Sequence, residues 1–273
     1  MYRKFLKVYS LLFSRVCFEK LNFLFFDIGL HGLGILNCQR KITGESSFLD
    51  NYLKKRINPI VFDIGANEGD YCKKVIKANG NVKLLAFEPH PDTFNRLVYK
   101  FMNFDSIYFY NFAFGDKIEK SKLYDYKNSK GTSHASKFKD VIRVLHDSNF
   151  DEYNIQSLTL DYFVENNSIE SIDLIKIDTE GSEFNILLGG IETIRLGKVK
   201  AIHFEFNEMN VFSKKFFKDF WDLLSDYKLY RMLPKGLLRI DKYSPIKCEI
   251  FAYQNIVAIL NQDDCEFLNS MDA

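Results

Sequence analysis

The sequence predicts an α/β fold: a doubly wound, mostly parallel sheet behind an N-terminal helical extension. Three observations carry this. Residues 59–65, PIVFDIG, are almost wholly apolar, as a parallel strand covered on both faces requires. Further apolar runs at 82–88, 107–114, 172–178 and 199–206 alternate with stretches of helical character. Glycines and acids gather where these runs end, and that is where such a sheet keeps its ligand crevice.

The extension comes first. Residues 1–56 hold 10 Lys/Arg against 4 Asp/Glu, whereas the whole chain of 273 residues has a net charge of only +1. Phe5, Tyr9, Leu12, Val16 and Phe23 approximate helical spacing, so one or two amphipathic helices are expected. Arg3, Lys4, Lys7, Arg15, Glu19 and Lys20 interrupt the apolar stretch, which stays short of the ~20 residues a spanning helix needs. No cleavable signal pattern is evident. Such helices pack on the core, form a homodimer contact, or lie on a membrane surface, and residues 1–30 leave these open. The five cysteines, Cys17, Cys38, Cys72, Cys248 and Cys265, are odd in number and form no CxxC pair. Neither a disulfide framework nor a metal site is expected, and a reducing, cytoplasmic compartment fits. No basic stripe recurs in the body, which argues against nucleic acid. The domain boundaries expected are 1–56 for the extension, 57–262 for the body and 263–273 for a tail.

In the body, residues 69–79 read as a helix stopped near Asn79-Gly80. VKLLAFE (82–88) is a second strand. Pro91 opens a helix to about Met102, and IYFYNFAF (107–114) is a third strand. Residues 115–157 are the least regular, with a short strand at IEKSKLYDY and a loop at KNSKGTSHAS; a long connection of this kind often forms a lid or substrate loop. LDYFVENN is a short helix, IDLIKID (172–178) the fourth strand, and VKAIHFEF (199–206) the fifth. Residues 213–226 form an amphipathic helix with Ser213 as N-cap. YKLYRML and EIFAYQNIVAIL are the last strands, joined as a hairpin with one antiparallel edge strand.

The chemistry lies at the strand ends. In Asp63-Ile64-Gly65-Ala66-Asn67-Glu68-Gly69 the glycines are four apart. A dinucleotide fingerprint would need glycine at Asn67, and a phosphate loop would need Lys-Ser/Thr where Asp70-Tyr71 stands. Asp63 and Glu68 would repel phosphate and suit a cationic amino-acid moiety such as that of S-adenosylmethionine. Glu88 ends the second strand, where a carboxylate accepts hydrogen bonds from a ribose diol. Lys176, Asp178 and Glu180 share one side if the fourth strand persists; Asp178 and Glu180 could then take a proton or position a hydroxyl. An acidic cap on the next helix is the plainer reading of Glu180. His203 and Glu205 share a face of the fifth strand. Their H-x-E spacing lacks the P-C-x-x-C partner of zinc deaminases, and His203 reads equally as a core histidine. His134, in the GTSH loop, is a substrate-contact candidate.

VFDIGANEGDY, AFEPHPDTFNRL, NFAFGD, SLTLDYF, IDLIKIDTEGSEFNILLGG and HFEF, in this order and spacing, resemble the FkbM family of S-adenosylmethionine-dependent methyltransferases over about residues 30–260. The KID-x-EG-x-E segment is the most distinctive. The resemblance implies a seven-stranded Rossmann-like methyltransferase core and O-methylation of a hydroxyl on a small molecule or glycan. By motif, Asp63, Gly65, Asn67, Gly69 and Glu88 look like contacts to the cofactor, S-adenosyl-L-methionine, with Ala66, Pro89 and Ala113 beside them. Asp178 and Glu180 match the family's acidic pair, with Glu205 a third candidate base. The 125–150 loop shows no matching pattern, and acceptor choice is expected to reside there. An NAD-dependent oxidoreductase on a similar sheet and an inactive binding module of the same fold are the rival readings.

Overall fold

The computed structural model describes residues 2–39, 41–127, 131–132, 135–138 and 149–263. The extension supplies helices α1 (Tyr2–Phe13), α2 (Glu19–Gly32) and α3 (Glu45–Leu53). The body then runs β1 (Ile60–Ile64), α4 (Asp70–Ala78), β2 (Lys83–Phe87), α5 (Pro91–Phe101), β3 (Ile107–Tyr110), β4 (Ala113–Phe114), β5 (Glu119–Tyr126) and β6 (Phe150–Leu158). Next come α6 (Leu160–Asn166), β7 (Leu174–Ile177), α7 (Glu183–Leu188), α8 (Ile191–Arg195), β8 (Ala201–Phe206), α9 (Met209–Ser213) and α10 (Phe217–Leu223). The chain closes with β9 (Tyr227–Leu233), β10 (Gly236–Arg239), α11 (Pro245–Cys248) and β11 (Gln254–Leu260).

The main sheet has the order β10-β9-β11-β8-β7-β1-β2-β3. From β8 to β3 every pair is parallel. Strand β11 runs antiparallel to both β8 and β9. Period-2 alternation sorts the strand side chains onto two faces. Phe62, Ile64, Leu85 and Phe87 join one apolar cluster with α6, α7, α8 and α10. Val61, Leu84 and Ala86 join the other with α3, α4 and α5. The sheet is thus covered on both sides, which is why its central strands could afford so little polarity.

Four expectations are corrected. The 107–114 run is two strands, because Asn111 leaves the ladder and donates to the Glu88 carbonyl at 2.8 Å; β3 stays with β2 while β4 pairs with β6. The irregular stretch holds a second sheet, β4-β6-β5, whose long β5–β6 pairing runs from Glu119–Ser157 to Tyr126–Phe150. The helix expected over 213–226 starts late. Ser213 ends α9, Lys214 takes φ 54°, and the α10 N-terminus is held by Glu249, which accepts from the Phe217 and Lys218 amides at 2.8 and 3.0 Å. Among the described residues the main sheet has eight strands, since β9 makes its hairpin with β10, and the antiparallel β11 lies inside the sheet.

Candidate active site

The strand ends β1, β2, β7 and β8 converge on one cavity of about 360 Å³. Ile64 ends β1 and the chain turns at once through Gly65 (φ 80°), Asn67 (φ 47°) and Gly69 (φ 79°). The Gly65 and Ala66 amides both donate to the Phe87 carbonyl at 3.0 Å, which ties the turn to the end of β2. A Cβ on Gly65 would lie 1.8 Å from the Asp178 carbonyl oxygen, and one on Gly69 would meet the Phe101 ring at 2.3 Å. The glycines therefore let protein approach protein here: Gly65 brings β1 against the end of β7, and Gly69 seats the turn on α5.

Glu88 links this turn to the next helix. Its Oε2 accepts from the Asn67 amide at 2.9 Å and its Oε1 from the His90 amide at 2.8 Å. Burial raises its pKa to about 7, against the pull of the His90 and Asn67 amides. Each oxygen keeps a lone pair, and the residue lines the cavity.

On the opposite strands, Lys176 is 5% exposed and reaches Asp178 Oδ2 at 2.8 Å and Asp63 Oδ1 at 3.8 Å. Burial lowers its pKa, but the carboxylates of Asp178, Asp63 and Glu45 outweigh burial and hold it above the usual value. After Ile177 the strand does not continue. Thr179, Glu180 and Gly181 form a turn, with Glu180 at φ 53° and Gly181 at φ 106°. Glu183 builds that turn: its Oε1 accepts from the Thr179 amide at 2.9 Å, the Thr179 hydroxyl at 3.1 Å and the Gly181 amide at 3.2 Å. Glu180 thus reaches the cavity by a turn rather than by strand alternation. Glu205, from β8, is pushed well above the carboxylate range by burial and by the neighbouring charges of Asp178 and Glu180.

The cavity gathers many of the expected residues and leaves others out. Gly65, Asn67, Glu88, Pro89 and Ala113 line it, and so do Asp178, Glu180 and Glu205. Asp63, fully buried, lies beneath the wall, where Cys72 Sγ donates to it at 3.2 Å and it faces Lys176. Ala66 and Gly69 are buried in the turn. His203 is a satisfied core histidine, 1% exposed, with Tyr71 Oη at 3.2 Å and Asn255 Oδ1 at 3.0 Å on its two ring nitrogens. His134 lies outside the described residues. Two further side chains matter. Lys137 lines the cavity and donates to Ser157 Oγ at 2.8 Å and the Phe114 carbonyl at 3.2 Å. Ser182 lines it with a buried Oγ that has no hydrogen-bond partner among the described residues. Neither stands in a recognisable spacing; Ser182 is hidden inside the KID-x-EG-x-E run, and Lys137 sits in the stretch read as loop.

The donor set can be tested against a ligand. Five acids, Glu88, Asp178, Glu180, Glu205 and Glu208, line the cavity, against one cation among the described lining residues, Lys137. A pyrophosphate would meet net negative charge, which disfavours a dinucleotide. A ribose diol donates to the free lone pairs of Glu88, and a cationic sulfonium and ammonium suit the acidic wall. The apolar side, including Phe112, Phe114 and Leu123, offers cover for a flat base. The residues fit S-adenosylmethionine.

A doubly wound sheet with an acid at the end of its second strand and an anionic crevice defines a nucleoside-binding enzyme of the methyltransferase type. Residues 63–232 match the family model of the methyltransferase FkbM domain, and the chain belongs to that family; its methyl donor is S-adenosylmethionine. A curated relative, the 2-O-methyltransferase NoeI of Sinorhizobium fredii, is 24% identical over 196 residues, covering 68% of this chain and 79% of that protein. Among solved structures, precorrin-6y C5,15-methyltransferase from Geobacter metallireducens aligns at TM-score 0.40 and 12% identity, over 82% of this chain and 93% of that one. Aeropyrum pernix fibrillarin with bound S-adenosyl-L-methionine aligns at TM-score 0.40 and 10% identity, over 78% and 73%.

Proposed function

We propose that this protein methylates a hydroxyl group of a small molecule or glycan, with Asp178 as the base. The observation that carries the assignment of the base is the Lys176–Asp178 pair at 2.8 Å on the cavity wall. Lys176 is fixed in turn by Asp63 and by the Tyr71 ring, 5.0 Å from its Nζ. It holds one carboxylate oxygen, Oδ2, of a residue that lines the cavity, and Oδ1 is the oxygen left to take the acceptor's proton. S-adenosylmethionine supplies a methyl group already activated on sulfur, so orientation does much of the catalysis, about 7–11 kcal/mol in favourable cases. The chain's own part is to orient the acceptor and take its proton. Asp178 receives that proton, and Glu205, pushed well above the carboxylate range, lines the cavity beside it with Oε2 accepting from Asn207 Nδ2 at 3.3 Å. The O-methyltransferase activity of NoeI supports hydroxyl over other acceptors. Glu88, oriented by the Asn67 and His90 amides, holds the ribose side of the donor, and Asp63 serves Asp178 through Lys176.

The test is Asp178→Asn. Transfer of labelled methyl to a panel of mono- and oligosaccharide hydroxyls should fall about 10²–10⁴-fold, while calorimetric affinity for the demethylated product stays at the wild-type value. Full turnover in the variant removes Asp178 as the base.

A further inference from the structure

Helices α1 and α2 have no counterpart in the catalytic body. No residue of α1 is buried, and in α2 only Leu30 is. Along α1, Tyr2, Phe5 and Leu12 lie on one side with Tyr9 and Phe13, which turn towards α2, while Arg3, Lys4, Lys7 and Ser10 lie on the other around an exposed Leu11. Phe5 is 64% exposed and Leu12 52%. The helix contains no acid. In α2 the apolar residues Phe23, Leu24, Phe25, Phe26 and Ile28 are all more than half exposed and point in several directions. The two helices are nevertheless fixed to each other. Tyr9 Oη donates to Asn22 Oδ1 at 2.6 Å, Asn22 Nδ2 donates to the Phe13 carbonyl at 3.0 Å, and Phe13 meets Phe18 edge-on at 5.0 Å. This is a built unit, with its polar interior contacts made and its apolar surface left outward.

We infer that this helical pair docks the enzyme on the surface of an anionic lipid bilayer. An aromatic face beside a cationic one is the pattern of a helix lying in the headgroup plane. At 12 and 14 residues, both helices are shorter than the ~20 a span requires. Charge selects the occupant. The pair and its link carry Arg3, Lys4, Lys7, Arg15 and Lys20 against Glu19 and Asp27, so a second copy would bring surfaces of like net charge together. Anionic headgroups neutralise Arg3, Lys4 and Lys7 while the aromatic rings enter the acyl boundary. Each cation close to such a surface strengthens partitioning about fivefold.

The experiment uses the full chain, freed of aggregates, and sedimentation with vesicles of phosphatidylcholine alone or mixed with about one-third phosphatidylglycerol. The chain should bind the mixed vesicles, release as salt rises, and bind the neutral ones far more weakly. The pair K4Q and K7Q should weaken binding about 30-fold. F5S should weaken it too, with unchanged product affinity as the sign of an intact body. Absent binding, equal binding to both vesicles, or indifference to K4Q/K7Q overturns the inference. So does a dimer in sedimentation velocity that F5S dissociates and mixed vesicles do not.

Discussion

Glu88 holds the glycine turn and the start of α5 together through the Asn67 and His90 amides, and burial has moved its carboxyl to about 7. A ribose diol needs the ionised form as a double acceptor. Product affinity should therefore fall as pH drops below about 7, by up to tenfold per unit. Glu88→Gln should bind more weakly and show a flat profile in calorimetry; a flat wild-type profile would remove Glu88 from the contact. Glu183 offers a stability counterpart. Burial raises it from 4.5 to about 7, although its own amide and those of Thr179 and Gly181 pull it down. Because the folded form binds the proton more tightly, its contribution is present at low pH and is lost as pH rises from 4.5 to about 7. Glu183→Gln keeps an acceptor for those donors without the charge. Its stability relative to wild type should rise across that window and then level, by on the order of 3 kcal/mol at most; denaturant midpoints at several pH values read it. Glu88 and Asp178 were legible in the sequence because strand-end acids have a place in the fold before any contact is known. Lys137 and Ser182 were not, since their roles depend on which loop folds over which strand.

At the scale of elements, what was legible followed burial. Strands covered on both faces, such as Leu174–Ile177 with all four residues buried, announce themselves by runs that are nearly all apolar, Lys176 being the exception in this one. Strands β5 and β6 are polar at many positions and mostly half-exposed, so their pairing, a long-range event, left little trace in either sequence. The α9–α10 break was hidden for a related reason: the periodicity of 213–226 is helical, but the residue that caps α10 is Glu249, 32 positions away from Phe217. Glu249 also accepts from Tyr243 Oη at 2.6 Å. Removing it strands two helix amides and a phenol. Glu249→Ala should therefore cost about 1–3 kcal/mol in chemical denaturation, whereas Ser213→Ala should cost only a few tenths, as suits a residue at a helix C-terminus. A larger loss from Ser213 than from Glu249 would contradict the assigned cap.

Across the whole molecule, the extension divides between two tasks. Helix α3 belongs to the core: Phe48, Leu49, Tyr52 and Leu53 are at most 3% exposed and pack with α4 and the sheet. Tyr52 Oη donates to the Asp173 carbonyl at 3.2 Å, and Arg56 reaches the Asp173 carboxylate at 3.0 Å. Ile35 bridges to Gln254 of β11, so the chain is anchored to the body from about that point on. Helices α1 and α2 contribute Leu30 and little else. Two truncations should then behave differently. A chain beginning at Gly29 retains Leu30 and every core side chain, and its thermal midpoint should lie within about 2 °C of the full protein, with equal product affinity. A chain beginning at Ile57 loses six buried apolar side chains, Leu30, Ile35, Phe48, Leu49, Tyr52 and Leu53, worth about 1.5–3 kcal/mol each. That loss is comparable to the ~5–15 kcal/mol that holds a domain folded, so this chain should show no cooperative unfolding and no product binding. Cooperative melting of the shorter chain would mean that the α3 face is covered by something other than the contacts described, and the core would have to be redrawn without it.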